Sequence, residues 1–460
     1  MGHERGDYTT MNEEKKLNMP QSLLLLLLII GSVAVCIRLK TGGPMIGLFL
    51  SWIIIYLFCK VLKINYDQIV GGAYDAIRVV VPTLCLLMSI GVMIGTWLQS
   101  GTIASIIVGG LKMINPTWLL PLTLVFCAVL SLVTGTSYGS VGSAGVDMMG
   151  MVAGAVICGA MFGDKLSPLS DTTNLAPAVA GSKLNDHVRS MLWTTLPTFA
   201  ISLVLFTILG ISQTSGGYEE GNLLVYIDAL QGEFKLGFVT LLPAVVIIVL
   251  LLCKVNAIVS LGLSAVCAGA VSFFYQGATL QSIIRVAYNG YSTQIEEAIL
   301  KTILNRGGMS SMLQYVAIIC FAVGMGGMLD RLGVLGNILN AITGRINSDG
   351  SLILASLLVG YVTSLISCSQ PMSHVLTGNM MKPLFKARRV APEILSRTLE
   401  DAGTLSGPMI PWHGYCVYMA GTLGVAWSVF FPYLFLLYLT PLFSIFYGFS
   451  GISIKHVEEN

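Results

Sequence analysis

Apolar residues fill this chain in blocks of helix length, separated by short polar stretches, from residue 21 to residue 449. About 20 consecutive apolar residues are enough for a helix to cross the hydrocarbon of a bilayer. The blocks predict spans over 21–37, 43–59, 79–98 and 190–211 in the first half, and over 237–253, 256–275, 310–329 and 427–449 in the second. Two further blocks, 150–181 and 398–422, carry charges and prolines inside them and read as broken helices. Residues 117–149 and 350–381 read as re-entrant hairpins with polar tips near 135–138 and 367–371. Residues 66–78, 102–114 and 279–306 read as interfacial helices or loops.

The pattern repeats. Gly95-TWLQS-Gly101 answers Gly327-MLDRL-Gly333 at an offset of 232, and Gly135-Thr136-Ser137-Tyr138 falls on Ser367-Cys368-Ser369-Gln370 at the same offset. Pro168 through Gly181 answers Pro408 through Gly421 at 240. Internal similarity in a constant order indicates duplicated structural units. With an odd number of spans per half, the two units face opposite ways, which is the inverted-repeat plan of many secondary transporters. The expected architecture is therefore an all-α polytopic membrane protein. It has two inverted repeats of five transmembrane helices plus a re-entrant hairpin, with two broken helices at the midplane. Residues 1–20 form an N-terminal tail, 21–211 the first repeat, 212–237 an external linker, 238–449 the second repeat and 450–460 a C-terminal tail.

Composition agrees. The 460 residues are 55% hydrophobic and 10% charged, against about 25% charged in soluble domains. Lys382, Lys386, Arg388, Arg389 and Arg397 cluster after the second hairpin. By the excess of Lys and Arg in cytoplasmic loops, they place both termini in the cytoplasm of a cell-membrane protein. A net charge of +2 spread over loops gives no nucleic-acid footprint, and the ten Cys contain no CxxC pair. They read as reduced packing residues with no metal or disulfide framework. The polar N-terminal stretch followed by LLLLLLII lacks an A-x-A cleavage site and reads as a first span.

The chemistry lies in the breaks. Gly163-Asp164-Lys165-Leu166-Ser167-Pro168-Leu169-Ser170-Asp171-Thr172-Thr173-Asn174 places three charges and a proline at membrane depth. Each charge costs about 2.5–3.5 kcal/mol at the bilayer centre, so such residues mark ion paths or proton relays. Pro168 frees a carbonyl one turn earlier. That carbonyl, with Ser167, Ser170, Thr172, Thr173 and Asn174, offers the hard oxygen atoms a cation such as Na⁺ prefers. Asp164 and Asp171 add the charge that holds a cation or protons, and Lys165 is their charge partner. An Asp164–Lys165 pair that merely ties helices together is the alternative. Thr136 and Ser137 at the first tip complete the coordination. In the second half Ser367, Ser369, Gln370, Thr404, Ser406 and His413 form the corresponding site, and Asp401 stands roughly where Asp164 does. His374 and His413 fit ordinary core histidines as well as proton carriers. The GxSxG string at Gly135–Gly139 needs a preceding strand and a histidine base to act as a nucleophile, and neither is at hand.

The strings TGTSYGSVG, GDKLSPLSDTTNLAPAVAG and SRTLEDAGTLSGPMIPW resemble those of the NhaC-type Na⁺/H⁺ antiporter family, within a wider ion-transporter superfamily. The resemblance covers nearly the whole chain and implies Na⁺ (or Li⁺) exchange for H⁺ by alternating access, with Asp164, Asp171 and Asp401 at matching motif positions. No cofactor beyond the transported ions is implied. The family includes members similar to malate/lactate exchangers, so coupled exchange of small carboxylates is the alternative. The second tip, Ser367-Cys368-Ser369-Gln370-Pro371, departs from the family pattern. One chain suffices for transport on this plan, and a homodimer is compatible with it.

Overall fold

The computed structural model describes residues 16–39, 44–113, 116–134, 149–167, 170–214, 220–253, 255–295, 300–301, 304–337 and 346–457. Among these the chain is helical, with one isolated antiparallel bridge between Val390 and His456. Among the described residues eight helices are long and apolar enough to cross a membrane, or ten if each of two sharply bent pairs counts as one span. The chain is thus a multi-pass membrane protein.

The first helices are α1 (Met19–Arg38), α2 (Pro44–Leu62) and α3 (Tyr66–Gln99). Asn18 and Gln21 exchange side chain to backbone hydrogen bonds of 3.1 Å across the start of α1. Asn65 caps α3 by accepting from the Asp67 amide at 3.0 Å. Helix α3 corrects the expectation for 66–78. That stretch is no separate interfacial piece but the first third of one 34-residue helix. At 1.5 Å per residue it runs for about 51 Å, well beyond the hydrocarbon. The Gly71-Gly72 pair does not break it, because Gly72 is where α3 meets another helix.

Next come α4 (Thr102–Met113), α5 (Pro116–Thr134), α6 (Met149–Leu166), α7 (Asp171–Ala180) and α8 (Leu184–Thr214). The expected linker 212–237 contains α9 (Glu220–Glu233). Buried Leu230 and Phe234 cluster there with Leu98, Ala104 and Val108 of α3 and α4. Then follow α10 (Leu242–Leu252), α11 (Ala257–Phe274), α12 (Leu280–Asn289) and α13 (Met309–Arg331). Asn256 and Thr279 cap α11 and α12 through their side chains.

Helices α14 (Asp349–Ser367) and α15 (Gln370–Ala387) pack together, and the turn between them falls at the polar tip read from the sequence. Cys368 takes a left-handed conformation there, with φ 54°. The first tip, Gly135–Tyr138, with Thr136 and Ser137, lies outside the described residues. The chain continues as α16 (Pro392–Leu399), a π-turn over Glu400–Thr404, a 3₁₀ turn at Gly407–Met409, and α17 (Gly414–Leu423). The single span expected over 427–449 is interrupted. A short helix at Trp427–Phe430 and a 3₁₀ turn at Phe431–Tyr433 precede α18 (Phe435–Ser450). Pro432 has no amide to donate to a continuing helix.

Helix α6 sits deepest. Of its 18-residue window 83% is buried, against 22–67% in the other seven candidate spans. Residues 455–457 pack beside Asp349 and residues 388–391. The Ala391 amide donates to Lys455 at 2.9 Å, the Val457 amide to Arg389 at 2.8 Å, and His456 shares Asp349 with Arg388, each at 2.9 Å.

Helices α3 and α13 approach closely, and a Cβ added to Gly327 would collide with the Gly72 carbonyl oxygen. Small residues let membrane helices approach in this way. Gly327→Ala must push the helices apart, and overpacking of this kind costs about 1–3 kcal/mol. The expected result is a lower thermal unfolding midpoint in detergent; an unchanged midpoint would show that α3 and α13 slide freely past one another.

Candidate functional site

Helix α6 ends at Leu166 and α7 starts at Asp171, so the first break spans Ser167 to Ser170. Backbone bonds tighten it: the Ser167 amide donates to Asp164 at 3.3 Å and the Ser170 amide to Ser167 at 3.1 Å. The Thr173 hydroxyl reaches back to the carbonyls of Asp164 and Lys165, at 2.9 and 3.1 Å. Carbonyls at a helix end need such partners where water is excluded. Ser170 and Thr172 place their hydroxyls 3.1 Å apart. Asp164, Lys165, Ser167, Ser170, Thr172 and Thr173 are all buried. Asn174 is exposed and donates its side-chain amide to the Ser170 carbonyl at 2.8 Å. Asp171 opens α7, but its side chain, like Pro168 and Leu169, lies outside the described residues.

The second break covers Leu405 to His413, between the π-turn and α17. His413 caps α17, its Nδ1 accepting from the Tyr415 amide at 3.0 Å. Gln370 donates to the Thr404 carbonyl at 2.8 Å, bonding the α14–α15 turn to the π-turn. Ser367 donates to the Ser369 carbonyl at 3.2 Å, and Ser406 to the Gly403 carbonyl at 3.2 Å. The hydroxyl of Ser369 is buried with no hydrogen-bond partner among the described residues.

The two breaks meet through one ion pair. The Lys165 ammonium bonds an Asp401 carboxylate oxygen, and both side chains are fully buried. Thr194 of α8 donates to the same Asp401 oxygen at 3.2 Å, while the other oxygen has no hydrogen-bond partner among the described residues. The partner that the sequence offered Lys165 was its neighbour Asp164; the structure sets it on the acid 236 positions away. Burying two charges costs several kcal/mol per ion unless the pair is well made. Removing either partner alone would leave an uncompensated buried charge at the point where the two discontinuous helices meet.

Four residues at the site escape the sequence reading. Glu400 is fully buried, with one carboxylate oxygen 4.0 Å from His374 Nε2. Arg397 is fully buried and donates to Ser453 at 2.9 Å. His187 contacts Ser396 at 2.8 Å. Thr194 is one of several hydroxyls in an apolar span and carries no mark of its own. Only Glu400 had a usable signal, a second acid inside a membrane-depth segment.

The model of the family described as "Na+/H+ antiporter family" matches residues 159–452, which includes both breaks. The Na⁺/H⁺ antiporter NhaC of Alkalihalophilus pseudofirmus is 33% identical over 452 residues, covering 96% of this chain and 97% of the relative. The chain belongs to the Na⁺/H⁺ antiporter family. The NhaC antiporter of Bacillus subtilis is 32% identical over 95% of this chain and 99% of its own length. The malate-2H⁺/Na⁺-lactate antiporter of the same organism is 33% identical over 90% of this chain and 91% of its own. The resemblance read from the three motif strings is thereby established as membership.

Proposed function

We propose that this protein exchanges Na⁺ for H⁺ across a cell membrane by alternating access, without a resident cofactor. The observation that carries the reading is the buried Lys165–Asp401 pair, which brings the two helix breaks of an antiporter-family chain into one site. Binding at helix breaks suits an ion, because freed backbone groups and half-helix ends supply ligands at membrane depth. Asp164 and Asp171 hold Na⁺ when ionised and protons otherwise. Competition for the same carboxylates couples the two fluxes. Ser167, Ser170, Thr172 and Thr173 supply neutral oxygens, with Thr136 and Ser137 closing the shell from the first hairpin. Asp401, held by Lys165 and Thr194, keeps one oxygen for an ion or proton.

The two halves are read as inverted repeats that rock about this point, with both termini cytoplasmic. The Lys382–Arg389 basic cluster supports that orientation. A second reading, coupled exchange of small carboxylates such as malate and lactate, is favoured by Arg397. Its guanidinium is fully buried, and Nε and Nη2 have no hydrogen-bond partner among the described residues. Arginine is suited to bidentate capture of carboxylates.

Proteoliposomes holding a pH-sensitive dye separate the two. Na⁺ and Li⁺ pulses are expected to move protons, and K⁺ and malate pulses are not. A response to malate with none to Na⁺ alone would replace the first reading by the second.

A further inference from the structure

Helix α8 presents one exposed stripe. Arg189, Trp193, Leu196, Ala200, Val204 and Ile208 recur every three or four residues and are all exposed, the spacing of a single helix face. From Trp193 on the stripe is apolar, as a surface against hydrocarbon must be. Its one charge, Arg189, stands one turn before Trp193, near the start of the helix. Tryptophan marks the level of the lipid headgroups, and an arginine at a helix end extends into them. Helix α18 carries a similar exposed stripe in Leu442, Phe446 and Phe449. The two helices touch through Trp193 and Tyr447, whose rings meet edge to face with centroids 6.2 Å apart. That contact joins the start of α8 to the end of α18.

Beyond the contact positive charge is in excess. Lys183 and Arg189 are exposed on the α8 side. Lys455, whose side chain is 70% exposed, follows α18. Its carbonyl accepts from the Ala391 amide at 2.9 Å, which fixes the segment in place. Arg397 is joined to the same segment through Ser453, and its Nε and Nη2 have no hydrogen-bond partner among the described residues. Two acids answer these four cations. Glu393 lies 3.8 Å from the Lys455 ammonium. Asp186 is in the first turn of α8, where the helix dipole also draws it. An anionic headgroup fits the surplus, since basic residues at the membrane surface attract acidic lipids. A headgroup without net charge gains nothing from it.

We propose that the start of α8 and the end of α18 form a seat for one anionic phospholipid. Its phosphate meets Arg189 and Lys455, and its acyl chains lie along Trp193 and Leu196 of α8 and Phe446 of α18. Lipid is the occupant because the apolar stripe begins one turn from Arg189 and continues down α8. A soluble anion would bring nothing to cover it. Trp193 precedes Thr194, the residue that bonds Asp401, so the lipid bears on the part of α8 that holds the ion pair. The seat does not depend on which ions are exchanged.

The test is quenching of tryptophan fluorescence by lipids brominated in their acyl chains, with the protein in vesicles of phosphatidylcholine. The part due to Trp193 is the difference between the wild type and Trp193→Phe. In the wild type this part is expected to report an affinity about 5- to 30-fold higher for brominated phosphatidylglycerol than for brominated phosphatidylcholine, the worth of one or two cations at an acidic surface. Arg189→Gln/Lys455→Gln, which alters two exposed positions, is expected to make the two lipids equal. Equal quenching by both lipids in the wild type overturns the proposal, and so does a preference that the double variant keeps. Inorganic phosphate, compared with choline chloride at the same ionic strength, is expected to leave the preference intact. Its loss in phosphate would give these cations to a free anion and overturn the lipid seat.

Discussion

Lys165→Met is expected to abolish exchange and to destabilise the protein by about 3–5 kcal/mol, the usual cost of removing one partner from a buried ion pair. The variant leaves Asp401 enclosed, bonded only to Thr194 among the described residues. Asp401→Leu should be similarly damaging, since it leaves the ammonium bare. The double variant Lys165→Met/Asp401→Leu separates the two roles of the pair. Replacing a buried pair by apolar residues of similar volume is often neutral or stabilising, so thermal unfolding in detergent should recover most of the loss. Transport should not recover, because no charge is left to hold the two breaks in their working relation. A double variant that regains both stability and exchange would show the pair to be a structural tie alone, and a Lys165→Met protein with full transport would remove it from the mechanism altogether.

Asp171→Asn is expected to stop Na⁺-driven proton movement in proteoliposomes. An amide has nearly the shape of the acid but neither takes up a proton nor offers a charge, so both competing ions lose the group they share. Charge-assisted contacts are worth about 1.5–3 kcal/mol each, which corresponds to a loss of about 10- to 150-fold in Na⁺ affinity. Asp164→Asn should act in the same direction. Asp164 differs in that its carbonyl also helps close the end of α6 through Thr173, so this backbone lock remains when the carboxylate is gone. Both proteins should elute from size exclusion like the wild type. Full exchange in a folded Asp171→Asn protein would exclude that residue from the ion site.

Much of the architecture was legible because bilayers are crossed by long apolar runs and broken by proline. Pro168, Pro408 and Pro411 announced both discontinuous helices, and the polar tip at Ser367–Pro371 announced the turn between α14 and α15. Two boundaries were misread for physical reasons. Residues 66–78 read as a separate interfacial piece, yet α3 is simply longer than the membrane is thick, and Arg331 pairs with Asp75. Pro432 interrupts a run whose apolar pattern continues smoothly through it. The site was legible in its residue types and not in its pairings. The repeat set Asp401 opposite Asp164, whereas the folded chain sets it against Lys165, a contact that no local pattern encodes. Glu400 was visible as a second acid of the segment, but its place beside His374 of α15 was not.

The 236 positions between Lys165 and Asp401 also set a timetable for the ribosome. At about 5–20 residues per second, Asp401 is made on the order of ten to fifty seconds after Lys165. Throughout that interval the nascent first half holds a lysine at membrane depth whose native acid does not yet exist. α6, the most enclosed of the candidate spans, thus waits for this partner while most of the second half is made. The first half cannot finish folding until most of the second has been synthesised.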